Sequence, residues 1–149
     1  MVETGKLIHI LKGHEYSVRN AAFSADGQQV VTSSSDKTAR LWMVETGKLI
    51  HILKGHEDSV RNAEFSADGQ QVVTSSWDKT ARLWMVETGK LIHILKGHES
   101  SVRNAAFSAD GQQVVTSSDD KTARLWMVET GKLIHILKGH EDTDRKSVV

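Results

Sequence analysis

Serine, histidine and aspartate recur together along this chain. That combination is the composition of a hydrolytic triad, in which an imidazole takes the proton of a nucleophilic hydroxyl and a carboxylate orients the ring. Histidine is also a metal ligand, and four pairs, His9/His14, His51/His56, His93/His98 and His135/His140, share a spacing of five residues. Arg19 and Arg40, each with later copies, could contact phosphate. The sequence argues against all three chemistries. A triad needs one exposed nucleophile beside an oxyanion hole, not the same residues returning in every repeat, so a structural network is expected and no enzyme. No cysteine and no paired carboxylate completes a tetrahedral set around a histidine pair, so no metal and no cofactor is expected. His9 reads as a half-exposed packing residue in mid-strand, on a face with Leu7 and Leu11. The glycines stand singly in turns and build no phosphate-cradling loop. With 19 acidic and 19 basic residues, the arginines are expected in rim salt bridges to Asp and Glu, and neither a specific nucleic acid nor a membrane is expected as partner.

The elements that hold these residues come from a repeat. The text Met1–Trp42 returns at Met43–Trp84 and Met85–Trp126, and a fourth copy begins at Met127 and holds through Glu141, with Asp142 matching the second copy. The period is 42 residues, and self-similarity at a fixed period means one small unit stacked on itself. The domain is therefore 1–142, followed by a tail at 143–149 that leaves the repeat. Asp144–Val149 resembles the translation of a sequencing adapter; a non-native tail is one reading and an ordinary terminus the other. Met1 is also the repeat's own methionine, so a start inside a longer array is expected. There is no cysteine and no proline, the start shows no signal-peptide pattern, and a cytoplasmic location is expected.

Within one period the turn chemistry marks out strands. Lys6–Leu11 is a short apolar run, ended by Gly13-His14. Ser17–Ser24 is a second run, closed by Ala25-Asp26-Gly27, a hairpin turn with glycine at the left-handed position. Gln28–Ser34 is a third, turned tightly by Asp36-Lys37, and Thr38–Val44 a fourth, turned by Glu45-Thr46-Gly47 into the next copy. No segment holds a 3.6-residue period past a glycine or an Asp-rich turn, so the class is all-β.

Four antiparallel strands per 42-residue period is the plan of a propeller blade. On Gly13-His14, Phe23–Gly27, Asp36 before Lys37-Thr38, and Leu41-Trp42, all recurring on the period, the chain resembles the WD-repeat β-propeller family. Methionine (Met43, Met85, Met127) stands where the family's aspartate follows the tryptophan, and alanine replaces the usual proline before Asp26. The resemblance implies a hydrogen-bonded tetrad in each blade: His14, Ser34, Asp36 and Trp42; His56, Ser76, Asp78 and Trp84; His98, Ser118, Asp120 and Trp126. A buried indole N–H, imidazole and carboxylate each need a partner, and one closed network satisfies them together.

The three full copies differ at only three positions: Tyr16/Asp58/Ser100, Ala22/Glu64/Ala106 and Ser35/Trp77/Asp119. In the family's geometry the first and third line one rim, the usual partner face, and the second faces the central channel beside it. Such large exchanges are tolerated where side chains meet solvent or a ligand, not in a close-packed core. Drift would also have touched Glu3, Lys6, Gln28, Gln29 and Lys37, which are the same in every full copy. These nine residues are therefore expected to form a partner-binding surface, and the function expected is a non-catalytic recognition scaffold for a protein or other macromolecule. Near-identical repeats with a few variable rim positions are similar to the sensor arrays of certain bacterial and fungal immune-type receptors. The alternative is a purely structural assembly module, a truncated or engineered piece of a longer array.

Counting strands gives one outer strand at 6–11 and blades at about 17–53, 59–95 and 101–137. Propellers close with four to eight blades, so three leave an open wedge with apolar end faces. Closure by homo-oligomerisation is expected: a homodimer of six blades, favoured because fewer partners lose less association entropy, or a homotrimer of nine. The outer-strand text occurs four times for three blades, so one terminal copy is expected to be displaced.

Overall fold

A computed structural model of the chain describes residues 5–138. It is all-β, with twelve strands in three four-stranded antiparallel sheets and no helix among the described residues. The first sheet runs β1 (Val18–Phe23), β2 (Gln29–Ser34), β3 (Ala39–Met43) and β4 (Leu49–Leu53), in that order across the sheet. The second repeats it as β5 (Val60–Phe65), β6 (Gln71–Ser76), β7 (Ala81–Met85) and β8 (Leu91–Leu95). The third is β9 (Val102–Phe107), β10 (Gln113–Ser118), β11 (Ala123–Met127) and β12 (Leu133–Leu137). His140 and the tail at 143–149 lie outside the described residues.

The turns are those the sequence specifies. Gly27 sits at φ 74° and its N–H closes the hairpin onto Ser24 O at 2.9 Å. Asp26 fixes the same turn by accepting from Gln28 N–H and Ser24 Oγ. The β2–β3 turn uses a lysine rather than a glycine in the left-handed region, Lys37 at φ 76°. Asp36 offsets that strain, because one of its oxygens accepts from both the N–H and the hydroxyl of Thr38.

The sheets stack face to face. Val31, Ala39, Leu41 and Leu53 of the first sheet bury against Val60, Ala63, Val72, Trp84 and Val86 of the second. The same set, 42 residues on, fills the next interface: Val73, Ala81, Leu83 and Leu95 against Val102, Ala105, Val114, Trp126 and Val128. Burial of an apolar side chain of this size is worth about 1.5–3 kcal/mol, and it is realised only where a neighbouring sheet is present. Val60 and Val73 are 0% exposed, while their counterparts on the outer faces, Val18 and Val115, are 52% and 39% exposed. The two uncovered faces are thus the two halves of one repeated interface.

The first copy of the outer-strand text departs from expectation. Lys6–Leu11 is not a strand. The later copies become strands by pairing antiparallel with the strand before them, as β4 does with β3, and no described strand precedes Lys6. Leu7, Ile8 and Ile10 are consequently 75%, 80% and 62% exposed. The segment nevertheless lies where an outer strand of a preceding blade would lie. It borders a cavity of about 170 Å³ lined by Ile8, Leu11, Phe23, Val30 and Val44, and His9 Nε2 meets Glu45 O at 3.1 Å. His51 and His93 make the equivalent bonds, to Glu87 O and Glu129 O. The last copy, β12, is paired on β11.

Candidate functional site

Each sheet holds a buried polar chain. In the central one Trp84 Nε1 donates to Thr74 Oγ1 at 2.9 Å, Thr74 Oγ1 lies 2.7 Å from His56 Nε2, and His56 Nδ1 lies 2.8 Å from Asp78 Oδ2. Asp78 Oδ2 also accepts from the Glu57 N–H, and its other oxygen from Thr80. The network assigns the tautomer. The indole N–H gives to the threonine oxygen, the threonine O–H gives to Nε2, and Nδ1–H gives to the carboxylate. A protonated imidazole would turn its Nε2–H as well as the indole N–H onto the threonine oxygen and leave the threonine hydrogen without an acceptor, so the neutral ring fits. Burial, the largest influence, depresses the pKa of His56, and Arg82 adds to that, against the opposing pull of Asp78. Asp36, in the first sheet, is raised by burial. Bonds from Thr38, His14 and the Glu15 N–H outweigh this and bring it to about 2.

The hydroxyl in this chain is a threonine, and this corrects the expected tetrads. Ser34, Ser76 and Ser118 do not link histidine to tryptophan; Thr32, Thr74 and Thr116 do. Register gives the reason. Trp42 stands opposite Val30 on β2, so Thr32 is two residues along and Ser34 four, or about 7 Å against 13 Å of strand rise. An indole reaches the first and not the second. Ser34 instead shapes the turn: its oxygen accepts from Asp36 N–H at 3.0 Å and its hydroxyl donates to Tyr16 O. His14, Asp36 and Trp42, with their copies, are joined through these hydrogen bonds.

Threonine, histidine and aspartate are thus aligned as in a hydrolytic triad, but the Thr74 hydroxyl is 0% exposed and already saturated by Trp84. No substrate carbonyl can reach it. The histidine pairs are divided between separate tasks: His51 bonds the turn of the next sheet while His56 joins its own network.

The glycine before each network histidine is also placed by close approach. Gly55 has φ 140°, and a Cβ there would stand 2.6 Å from Arg82 Nη1 and 3.7 Å from the Trp84 ring.

The variable residues divide into two groups. The Ser35 N–H donates to Ser17 O, the Trp77 N–H to Ser59 O and the Asp119 N–H to Ser101 O, so the third variable position sits against the residue that follows the first. Tyr16 with Ser35, Asp58 with Trp77, and Ser100 with Asp119 therefore share one rim. The second position does not join them. Ala22, Glu64 and Ala106 lie one residue from the far end of the inner strand, four residues from its rim end, or about 13 Å away. Ala22 is half-buried against the apolar interface. The inner strands do face one another, since the side chains of Asn62 and Asn104 hydrogen-bond across them.

Sequence reasoning missed what the invariant arginines do on this rim. Of the six arginines expected in rim salt bridges, Arg19, Arg61, Arg103, Arg40, Arg82 and Arg124, one pairs with an acid among the described residues: Arg103 with Asp119. Arg19 Nε instead donates to Ser35 Oγ at 2.8 Å. The guanidiniums of Arg19 and Arg61 both lie over the Trp77 ring, 5.1 and 5.0 Å from its centroid. The common spacing of sixteen residues between each arginine and its variable partner was the available signal.

Comparison with known proteins agrees with this architecture. The family model described as "WD domain, G-beta repeat" matches residues 5–43, 47–85 and 89–127. Among curated proteins, the chain is 46% identical over 41 residues to the periodic tryptophan protein 2 homolog of Neurospora crassa, covering 28% of this chain and 5% of that protein. It is 56% identical over 32 residues to the vegetative incompatibility protein HET-E-1 of Podospora anserina, covering 22% of this chain and 2% of that protein. The chain thus spans only a small part of either relative. Solved structures of U3-55K and of the RRP9 WD40 repeats superpose with a TM-score of 0.85 each at 24% identity, over 90% of this chain and 43% and 42% of theirs.

Proposed function

Because the chain belongs to the WD40 repeat family, whose propeller blades typically serve as protein-interaction scaffolds, we propose that it is a non-catalytic recognition scaffold taking a protein partner on the rim that carries Tyr16, Ser35, Asp58, Trp77, Ser100 and Asp119. One observation carries this reading. Of the three positions at which otherwise identical repeats differ, two stand side by side on a single rim. The likeness to a relative named for vegetative incompatibility fits an array of this kind. A displayed peptide library selected on the chain tests it. Selected peptides should be lost when residues 16, 58 and 100 and residues 35, 77 and 119 are all made serine, with the β circular dichroism unchanged. Retention of the same peptides by that variant would refute the proposal. A cytoplasmic location belongs to the same proposal, and cell fractionation tests it.

The purely structural reading is favoured by a different observation, the two uncovered faces. Each is the complement of the other, residue for residue, so a further blade fits both. We propose that second copies of the chain supply those blades, as a six-bladed dimer or a nine-bladed trimer. Where chains meet, Lys6–Leu11 of one and β12 of the other compete for the edge of β11. The first has its His9 and His14 bonds already made on its own sheet; the second is tethered to β11 by a short turn and has high effective concentration there.

A further inference from the structure

Three guanidiniums, of Arg19, Arg61 and Arg103, stand on the rim, and among the described residues Asp119 is the one acid that pairs with any of them. Arg61 feels burial first, then the charges of Arg19 and Arg103, all working against its own charge, while Asp119 works for it. Asp119 is already spent on Arg103. Arg19 and Arg61 are left sharing an indole, and the guanidinium of Arg61 has no hydrogen-bond acceptor among the described residues. A guanidinium lying over a ring leaves its terminal N–H edge open, even in Arg19, whose Nε is bonded to Ser35 Oγ, and that edge matches a carboxylate or phosphate with two parallel bonds. Trp77 also differs from the three network tryptophans, which are 2% exposed; it is only half-buried. A tryptophan with two arginines at the centre of a variable rim has the composition of a binding hot spot.

We propose that Arg19, Trp77 and Arg61 form an oxyanion site that receives an acidic side chain, a carboxylate or a phosphorylated hydroxyl, from a peptide segment of the partner. The proposal rests on the recognition-scaffold reading and names the chemistry of its central contact. Trp77 acts by holding the two arginines in place before the ligand arrives, which lowers the ordering cost of binding. A peptide suits the site better than a nucleic acid. A phosphate backbone must be neutralised along its length, whereas this is a spot of two cations bordered on the same rim by Glu15, Glu57, Asp58, Glu99 and Asp119, in a chain of 19 acidic and 19 basic residues.

The test is fluorescence anisotropy with three labelled peptides of one sequence, bearing glutamate, phosphoserine or glutamine at the central positions. The glutamate and phosphoserine peptides should bind and the glutamine peptide should not, and the stronger of the two identifies the natural oxyanion. Arg19→Gln and Arg61→Gln should each weaken binding roughly tenfold. Arg103→Gln should change it by less than about twofold, because that charge is already paired. Trp77→Ser removes no charge, yet should weaken binding about as much as loss of one arginine. Asp119→Ser, which frees Arg103, should tighten it. Equal losses at Arg103 and Arg61 would show a diffuse charge effect and overturn the proposal, as would single-stranded DNA competing on equal terms. No binding by either acidic peptide would also overturn it. The library selection separates the two readings: neutral peptides selected on the rim would keep the scaffold and discard the oxyanion site, and no rim-dependent peptide at all would discard both.

Discussion

Thr74→Val asks whether the threonine or the serine closes the polar chain. The Thr74 hydroxyl is fully buried and stands between two partners that have no other acceptor or donor in reach, the indole N–H of Trp84 at 2.9 Å and His56 Nε2 at 2.7 Å. Valine keeps the shape and strands both. A buried polar group left unsatisfied costs about 1–3 kcal/mol, so two such groups, less the gain from burying one more methyl, give a net loss of about 2–4 kcal/mol. Ser76→Ala is the comparison. It removes one bond to Asp58 O at 3.2 Å and one from the Asp78 N–H at 3.0 Å; Ser76 itself is buried, but its partners are main-chain groups of the exposed Asp58 and the half-buried Asp78, so the loss is about 1 kcal/mol. With a urea slope of about 2 kcal/mol/M, the two midpoints should lie about 0.5–1.5 M apart, with valine the less stable, read by far-ultraviolet circular dichroism. In a Trp84→Phe background, where no indole N–H is left to satisfy, the Thr74→Val loss should shrink. Ser76→Ala shifting the midpoint as far as Thr74→Val would refute the register argument that places threonine in the network.

Acid should weaken the fold in two stages. His56 and His98 have folded-state pKa values held below 6.5 by burial, so the unfolded chain takes up more protons and stability falls as pH drops below about 6.5. Asp36, lowered from 3.8 to about 2, contributes stability above 3.8 that is lost as pH falls from there through about 2; a urea midpoint that rises between pH 7 and 5 would contradict the first stage. Gly55→Ala should destabilise by more than Gly69→Ala. Both have positive φ, but Gly69 at 75° lies in the left-handed well that other residues enter at a cost of about 1–2 kcal/mol, whereas Gly55 at 140° lies outside it and a Cβ there also meets the Arg82 guanidinium; equal thermal midpoints would refute this. Light scattering at micromolar concentration should find an oligomer. Deleting residues 1–11 should dissolve it if the first outer-strand copy joins the chains and leave it intact if sheet faces do, while a compact full-length monomer would end the argument for assembly.

The sequence made the fold legible because every sheet is closed by short-range chemistry. Asp26-Gly27 and Asp36-Lys37 each fix a hairpin within five residues, and the 42-residue period then copies the result. What it hid was one step longer in range. Choosing Thr32 over Ser34 requires folding β2 onto β3 about the Asp36 turn and counting which hydroxyl faces the indole; both lie on the same face, so alternation alone cannot separate them. The state of Lys6–Leu11 was hidden for another reason. The run is identical in sequence to β4, β8 and β12, and what makes those strands is the edge of the strand before them. Analogy joins the second variable position to the partner surface of the other two, and the distance along the inner strand parts them.

The placement of the variable residues follows from the same division of labour. Each repeat spends its histidine, threonine, aspartate and tryptophan on a network that is saturated and sealed, so those positions cannot change without stranding a buried group. The arginine of the inner strand is held differently. Its partner sits sixteen residues on, at the mouth of the turn, where a hydroxyl, an indole or a carboxylate can each be accommodated. One substitution there sets whether the invariant charge is shared, stacked or cancelled, and it does so without touching the network beneath. Three such choices in a row, Ser35, Trp77 and Asp119, write a charge pattern along the rim from identical blades, with the uncancelled charge gathered on Arg19 and Arg61. Under the proposed scaffold role, a repeat built this way would vary what it recognises one residue at a time while its stability stays fixed, so Trp77→Ser should alter peptide binding far more than it alters the urea midpoint.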